Sequence, residues 1–132
     1  MKANTKEMVI ISRDRVGLLA DISAILAESG INIESVSVEV VKGNAVIRMT
    51  TSSEQKAIKL LKKAKYEVIS SDVVVVKLAD QPGQLSKIAR ILADAKINIE
   101  NVHLLFKAGG KTFVAIKADE HGKATELLKN YM

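Results

Sequence analysis

Asp80-Gln81-Pro82-Gly83-Gln84-Leu85-Ser86-Lys87-Ile88-Ala89-Arg90-Ile91-Leu92-Ala93-Asp94-Ala95-Lys96-Ile97-Asn98-Ile99-Glu100-Asn101-Val102 reads as a tight loop, then an amphipathic helix, then the start of a strand. Asp14-Arg15-Val16-Gly17-Leu18-Leu19-Ala20-Asp21-Ile22-Ser23-Ala24-Ile25-Leu26-Ala27-Glu28-Ser29-Gly30-Ile31-Asn32-Ile33-Glu34-Ser35-Val36 matches it without a gap at a constant offset of 66. Asp14/Asp80, Gly17/Gly83, Leu19/Leu85, Ile22/Ile88, Ile25/Ile91, Leu26/Leu92, Asn32/Asn98, Ile33/Ile99 and Glu34/Glu100 are among the matched pairs. The chain is one unit written twice, and the fold follows from reading that unit.

Upstream of the first copy, Glu7-Met8-Val9-Ile10-Ile11-Ser12 is a short apolar run bounded by a charge and a turn, which predicts a strand buried on both faces. Leu18, Leu19, Ile22, Ile25 and Leu26 then fall at helical spacing and Gly30 supplies a stop, so a helix is predicted over about 16–29. After Ile33 the apolar parity changes: Val36, Val38 and Val40 share one face, with Ser35, Ser37 and Glu39 opposite. Residues 32–34 therefore form a bend or bulge, and the regular strand begins after it. Lys42-Gly43-Asn44 turns the chain into a hairpin with residues 45–50. Ser52-Ser53-Glu54 is a capping signal ahead of a helix marked by Ala57, Ile58, Leu61 and Ala64, and residues 66–70 close the unit as a fourth strand.

The second copy keeps the order. Residues 73–78 form its first strand, Leu85, Ile88, Ile91, Leu92 and Ala95 its helix stripe, and residues 102–106 its second strand, with His103 opposite Val102, Leu104 and Phe106. Ala108-Gly109-Gly110 makes the turn, residues 112–118 return, and Ala124, Leu127, Leu128 and Tyr131 stripe a last helix. No fourth strand is predicted there, so the edge of residues 73–78 needs a cover, from residues 66–70 or from another chain.

Composition bounds the functional classes. Two halves of roughly 66 residues are each near the lower limit for independent stability and are expected to lean on each other or on a second chain. The core is aliphatic, since 48% of residues are hydrophobic and only 3% aromatic. With no Cys, disulfides and thiolate metal sites are excluded. Neither a leader nor an apolar run near membrane-spanning length is evident, so a soluble cytoplasmic location is expected. The net charge of +5 gathers partly in Lys56, Lys59, Lys62, Lys63 and Lys65 on one predicted helix, the pattern of a solvated face. Without interleaved aromatics or a groove-reading motif, nucleic acid is not expected as a partner.

Written twice, the order βαββαβ with Asp-Arg-Val-Gly-Leu-Leu and Asp-Gln-Pro-Gly-Gln-Leu at the first strand-to-helix turn, and Gly-Ile-Asn-Ile or Lys-Ile-Asn-Ile after the helix, closely resembles the ACT domain. That module is found on enzymes of amino-acid metabolism and their regulators. The resemblance spans essentially the whole chain and implies an α+β fold: two ferredoxin-like βαββαβ units in tandem, residues 1–70 and 71–132, the second lacking its last strand. Antiparallel sheets with helices on one face are implied. It further implies an amino acid bound at the seam between units, held by the loop before the first helix and the Asn at the start of the second strand. Those positions are Asp14, Arg15, Val16, Gly17, Leu18 and Leu19 with Asn32 and Ile33, and Asp80, Gln81, Pro82, Gly83, Gln84 and Leu85 with Asn98 and Ile99. The first copy has Val16 where Pro82 stands, and the second has Lys96 where Gly30 stands.

Chemistry supports that reading independently. A helix N-terminus presents unpaired N–H donors and a positive dipole end to a carboxylate. Gly17 and Gly83 leave its backbone approachable. A carboxylate at Asp14 or Asp80 can take an ammonium, and the Asn32 and Asn98 amides both donate and accept.

Each residue also has a purely structural explanation. Asp14 and Asp80 can cap the helices, Pro82 can be a first-turn residue, the glycines can serve the turn alone, and Asn32 and Asn98 can tolerate a left-handed bend while bonding their own backbone. Asp119-Glu120, just before the last helix, reads as a cap and N-terminal charge rather than a metal site with His121. There is no nucleophile elbow, phosphate-cradling glycine loop or zinc pattern, so neither an enzyme nor a metal or cofactor is expected.

The expected role is a regulatory module that senses a free amino acid or similar metabolite by shifting populations between arrangements of units, as a homodimer or larger. Two alternatives stay open. One is a subunit docked on a biosynthetic enzyme, since Asn32-Ile33-Glu34-Ser35-Val36 is similar to a segment of acetolactate synthase small subunits. The other is a regulator resembling tandem ACT repressors of glycine metabolism.

Overall fold

A computed structural model describes residues 7–132, which form two compact units, one running to Ser71 and one starting at Asp72. Residues 1–6 of the expected first unit lie outside the described residues. The first unit runs β1 (Met8–Arg13), α1 (Leu18–Glu28), β2 (Ile33–Val41), β3 (Asn44–Thr51), α2 (Glu54–Lys63) and β4 (Glu67–Ile69). Its antiparallel sheet has the order β2-β3-β1-β4. The second unit runs β5 (Val74–Ala79), α3 (Gln84–Asp94), β6 (Ile99–Ala108), β7 (Lys111–Ala118) and α4 (His121–Leu128), with a closing 3-10 turn at Lys129–Tyr131. Its antiparallel sheet has the order β5-β7-β6, and among the described residues no fourth strand joins it. The α+β, twice-written βαββαβ architecture holds, and β4 makes its ladder with β1.

Alternation of side chains along each strand puts one parity under the helices. In the first unit Met8, Ile10, Ala45, Ile47 and Met49 pack with Ile22 and Leu26 of α1 and Ala57 and Leu61 of α2. In the second, Val74, Val76, Leu78, Val114 and Ile116 pack with Ile88, Leu92, Ala124 and Leu128. The opposite parity of β1, β3, β5 and β7 is buried too, at Val9, Ile11 and Val46 and at Val75, Phe113 and Ala115. This is why the first strand of each unit is continuously apolar.

β2 and β6 behave differently. Val36, Val38 and Val40 pair with Met49, Ile47 and Ala45, so they share the helix-side face, yet they are 44, 47 and 50% exposed. The helices leave this edge of their own face open. Val102 and Leu104 of β6 repeat the situation.

The expected bulge is present in both copies, where the ladder slips between Ile33 and Ser35 and between Ile99 and Asn101. A second slip, between Leu104 and Phe106, occurs only in β6. It corrects the expected placement of Phe106, which shares the side of His103 rather than that of Leu104. There its ring stacks on Phe113 with centroids 4.5 Å apart. Beyond this extra residue the two copies correspond at an offset of 67, so that the Val40–Ala45 rung becomes Lys107–Thr112.

Both first helices end in a left-handed residue, Gly30 at φ 71° and Lys96 at φ 62°. A side chain in that conformation costs about 1–2 kcal/mol, partly offset by glycine's greater freedom in the unfolded chain. Lys96→Gly is therefore expected to stabilise the second unit and Gly30→Ala to destabilise the first, each by about 0.5–1 kcal/mol in urea unfolding. Equal and same-signed shifts would remove this account.

Candidate functional site

The loop after β1 is fixed by its backbone. The Asp14 N–H donates to the Gly43 carbonyl at 2.8 Å, and the chain then enters α1 through Gly17 at φ 85°, a conformation that a side chain adopts only under strain. Gly17 is the N-cap, so α1 starts at Leu18 rather than at the expected residue 16, and Val16 is fully exposed. Asp14 stands three positions before the cap, too early to serve as one. Its carboxylate has no hydrogen bond or ion pair among the described residues.

The Leu18 N–H reaches the Arg15 carbonyl at 3.2 Å and the Asp21 N–H the Gly17 carbonyl at 2.9 Å, while the Leu19 and Ala20 N–H groups have no partner among the described residues. These donors border an open groove of about 410 Å³ lined by Asp14, Arg15, Gly17, Leu18, Leu19, Ala20, Val38 and Ile47. The Arg15 guanidinium is engaged by its own unit, at 2.8 Å from Asp21 and 3.3 Å from the Tyr66 hydroxyl. Its hydrogen bond to Asp21 raises its pKa above the ordinary value.

The second loop repeats the backbone but not the side chains. The Asp80 N–H donates to the Gly110 carbonyl at 2.9 Å, Gly83 caps α3 at φ 89°, and the Leu85 and Ser86 N–H groups have no partner among the described residues. Pro82 lies ahead of that cap, outside the helix, which corrects its reading as a first-turn residue. The Asp80 carboxylate, unlike that of Asp14, is occupied. It takes Lys107 Nζ at 3.2 Å and the Thr112 hydroxyl at 3.4 Å. The hollow here is only about 120 Å³ and includes Asp80, Gln81, Gln84, Leu85, Leu104 and Lys107.

Asn32 and Asn98 lie at the other end of the first helices. The 11 residues of α1, at about 1.5 Å each, separate Asn32 from the Asp14 loop by roughly 16 Å. Two bonds clamp each Asn backbone. The Asn32 N–H donates to Ser52 Oγ at 2.9 Å while its carbonyl accepts the Ser52 N–H at 2.9 Å. Asn98 does the same with Asp119, at 3.0 Å in each direction. Ser52 and Asp119, expected to cap the helices that follow, are instead the clamps. Neither Asn is left-handed, and neither side-chain amide has a partner among the described residues, so the self-bonded bend does not form.

Asn32, Ile33 and Val16 thus lie off the first groove's lining, and Pro82, Gly83, Asn98 and Ile99 off the second's. Sequence reasoning missed Ala20, Val38, Ile47, Lys107 and Thr112 as neighbours of the loops. Lys107 reaches the helix side of β6 only through the slip between Leu104 and Phe106, so alternation in the sequence places it on the wrong face. Among the described residues no group of three or more His, Asp or Glu could hold a metal ion.

Two βαββαβ-like units, each with a glycine-capped helix end, define a tandem ferredoxin-like module. A family model described as an ACT domain pair matches residues 4–131, and the chain belongs to the ACT domain family. Among solved structures it is similar to protein BT0572 from Bacteroides thetaiotaomicron, at 26% identity over 95% of this chain and 86% of that one, with a TM-score of 0.50. It is also similar to the regulatory subunit of aspartate kinase from Thermus thermophilus, in its ligand-free form, at 23% identity over 94% and 90% of the two chains, with a TM-score of 0.44. The acetolactate synthase small subunit from Thermotoga maritima is 12% identical over 95% and 84%, with a TM-score of 0.42. Comparison with curated proteins gave no match.

Proposed function

We propose that this protein is a non-catalytic regulatory module of two ACT units, about 1–70 and 71–132, that binds a free amino acid or similar small metabolite between units. Occupancy would be signalled by a change of assembly or of contact with a partner, in the cytoplasm. The observation carrying this reading is the juxtaposition, in one groove, of two unused helix-end N–H groups with the unpaired Asp14 carboxylate. A zwitterion needs that pair of partners: donors for its carboxylate and an anion for its ammonium.

The roughly 16 Å between that groove and Asn32 favours a site shared between two units. One ligand cannot touch both within a unit. Two units set antiparallel along their open β2-type edges would bring the loop of one to the Asn of the other and cover the exposed Val36, Val38 and Val40. Burying those side chains favours a homodimer or larger. The regulated partner would be an enzyme of amino-acid biosynthesis. No helix among the described residues is long and apolar enough to cross a membrane.

A thermal-shift screen of the twenty amino acids tests this directly. At about 100 times its dissociation constant a ligand adds roughly 2.7 kcal/mol, which should raise Tm by several degrees. If none shifts Tm, docking on an enzyme without a free effector replaces the sensor reading.

A further inference from the structure

We infer that the two copies have divided the work: only the loop of the first unit takes an amino-acid ammonium, while the equivalent carboxylate of the second unit is a structural strut. This deepens the amino-acid reading above and rests on it. One rung of the ladder separates the copies. In the first unit the rung beside the hairpin turn is Val40–Ala45, whose side chains offer Asp14 neither a charge nor a hydrogen bond. In the second the same rung is Lys107–Thr112, and both side chains reach Asp80.

The backbone of the two loops is otherwise the same. Asp14 and Asp80 donate to Gly43 and Gly110 at 2.8 and 2.9 Å, and Gly17 and Gly83 share a left-handed cap. The difference therefore lies in the side chains. An ammonium approaching Asp80 must displace Lys107, a cation already in place at 3.2 Å, and enters a hollow of about 120 Å³ rather than 410 Å³. An ammonium approaching Asp14 meets no cation already paired with that carboxylate among the described residues. The neighbouring positions agree: Arg15 is held away by Asp21 and Tyr66, whereas Lys87, which replaces Asp21, adds a second cation on the α3 side near the Tyr131 ring.

Isothermal titration of the full chain with each amino acid that raises Tm in the screen separates the outcomes. The wild type is expected to bind one ligand per chain. Asp14→Asn should weaken that binding about tenfold or more, and Asp80→Asn should leave it within about twofold. Lys107→Val combined with Thr112→Ala restores the first copy's rung and should raise the stoichiometry to two, while Val40→Lys, at a half-exposed position, should abolish the single site. Equal losses in Asp14→Asn and Asp80→Asn, or two ligands per wild-type chain, would overturn the division of labour and leave the sensor reading intact. No titratable amino acid at all would overturn both.

Discussion

Leu26→Ala is expected to destabilise the first unit by about 2–5 kcal/mol, and Leu92→Ala the second by a similar amount. Both side chains are fully buried, at matched positions in the last turn of α1 and α3, and each is part of the helix-side core of its unit. Removing the leucine leaves a cavity between helix and sheet that strands on either side cannot close. Units this small have stabilities of a few kcal/mol to start with, so the fraction unfolded should rise measurably at 37 °C. Urea unfolding followed by circular dichroism measures it. A loss under about 1 kcal/mol would mean that the helices are not anchored as described.

Gly17→Val should act on both stability and binding. The position is at φ 85°, and a side-chain carbon added there would meet open space, the nearest atom being Arg15 Nη1 at 4.0 Å, so the penalty is backbone strain and not a clash. Left-handed geometry costs an ordinary residue about 1–2 kcal/mol, and a β-branched one at the upper end or beyond. If the loop relaxes to escape that strain, the Leu19 and Ala20 N–H groups swing away from the groove. Loss of amino-acid binding with about 1–2 kcal/mol of destabilisation is the expected pair of results. Gly83→Val should destabilise comparably. Unchanged binding by Gly17→Val would show that those two donors do not hold the ligand.

Much of the fold was legible because its signals are local. The helix stripes, the Gly43 and Gly110 turns and the parity change at Glu34 and Glu100 each lie within a few residues of one another. The bulge at Leu105 was not, since Leu104-Leu105-Phe106 is apolar at every position and an inserted residue leaves no break in alternation. The roles of Ser52 and Asp119 were misread for a related reason. Each sits immediately before a helix, where a cap is the local expectation, but the Asn N–H it accepts is 20 or 21 residues away. Likewise the Asp80–Lys107 pair joins residues that flank the same end of β7, neighbours that only the folded sheet creates. The separation of the Asp14 loop from Asn32 by the length of a helix was implicit in the helix predicted between them, and it sets the loop and the Asn too far apart for one ligand within a unit.

The most direct test of the account is a ¹⁵N-resolved NMR titration of the full chain with each amino acid that raises its melting temperature. The Leu19 and Ala20 amides and the Asn32 or Asn98 side-chain NH₂ should move together along one binding curve, although they sit at opposite ends of a helix within any single unit. Shifts confined to one end, or spread over residues remote from both, would contradict a site shared between two units.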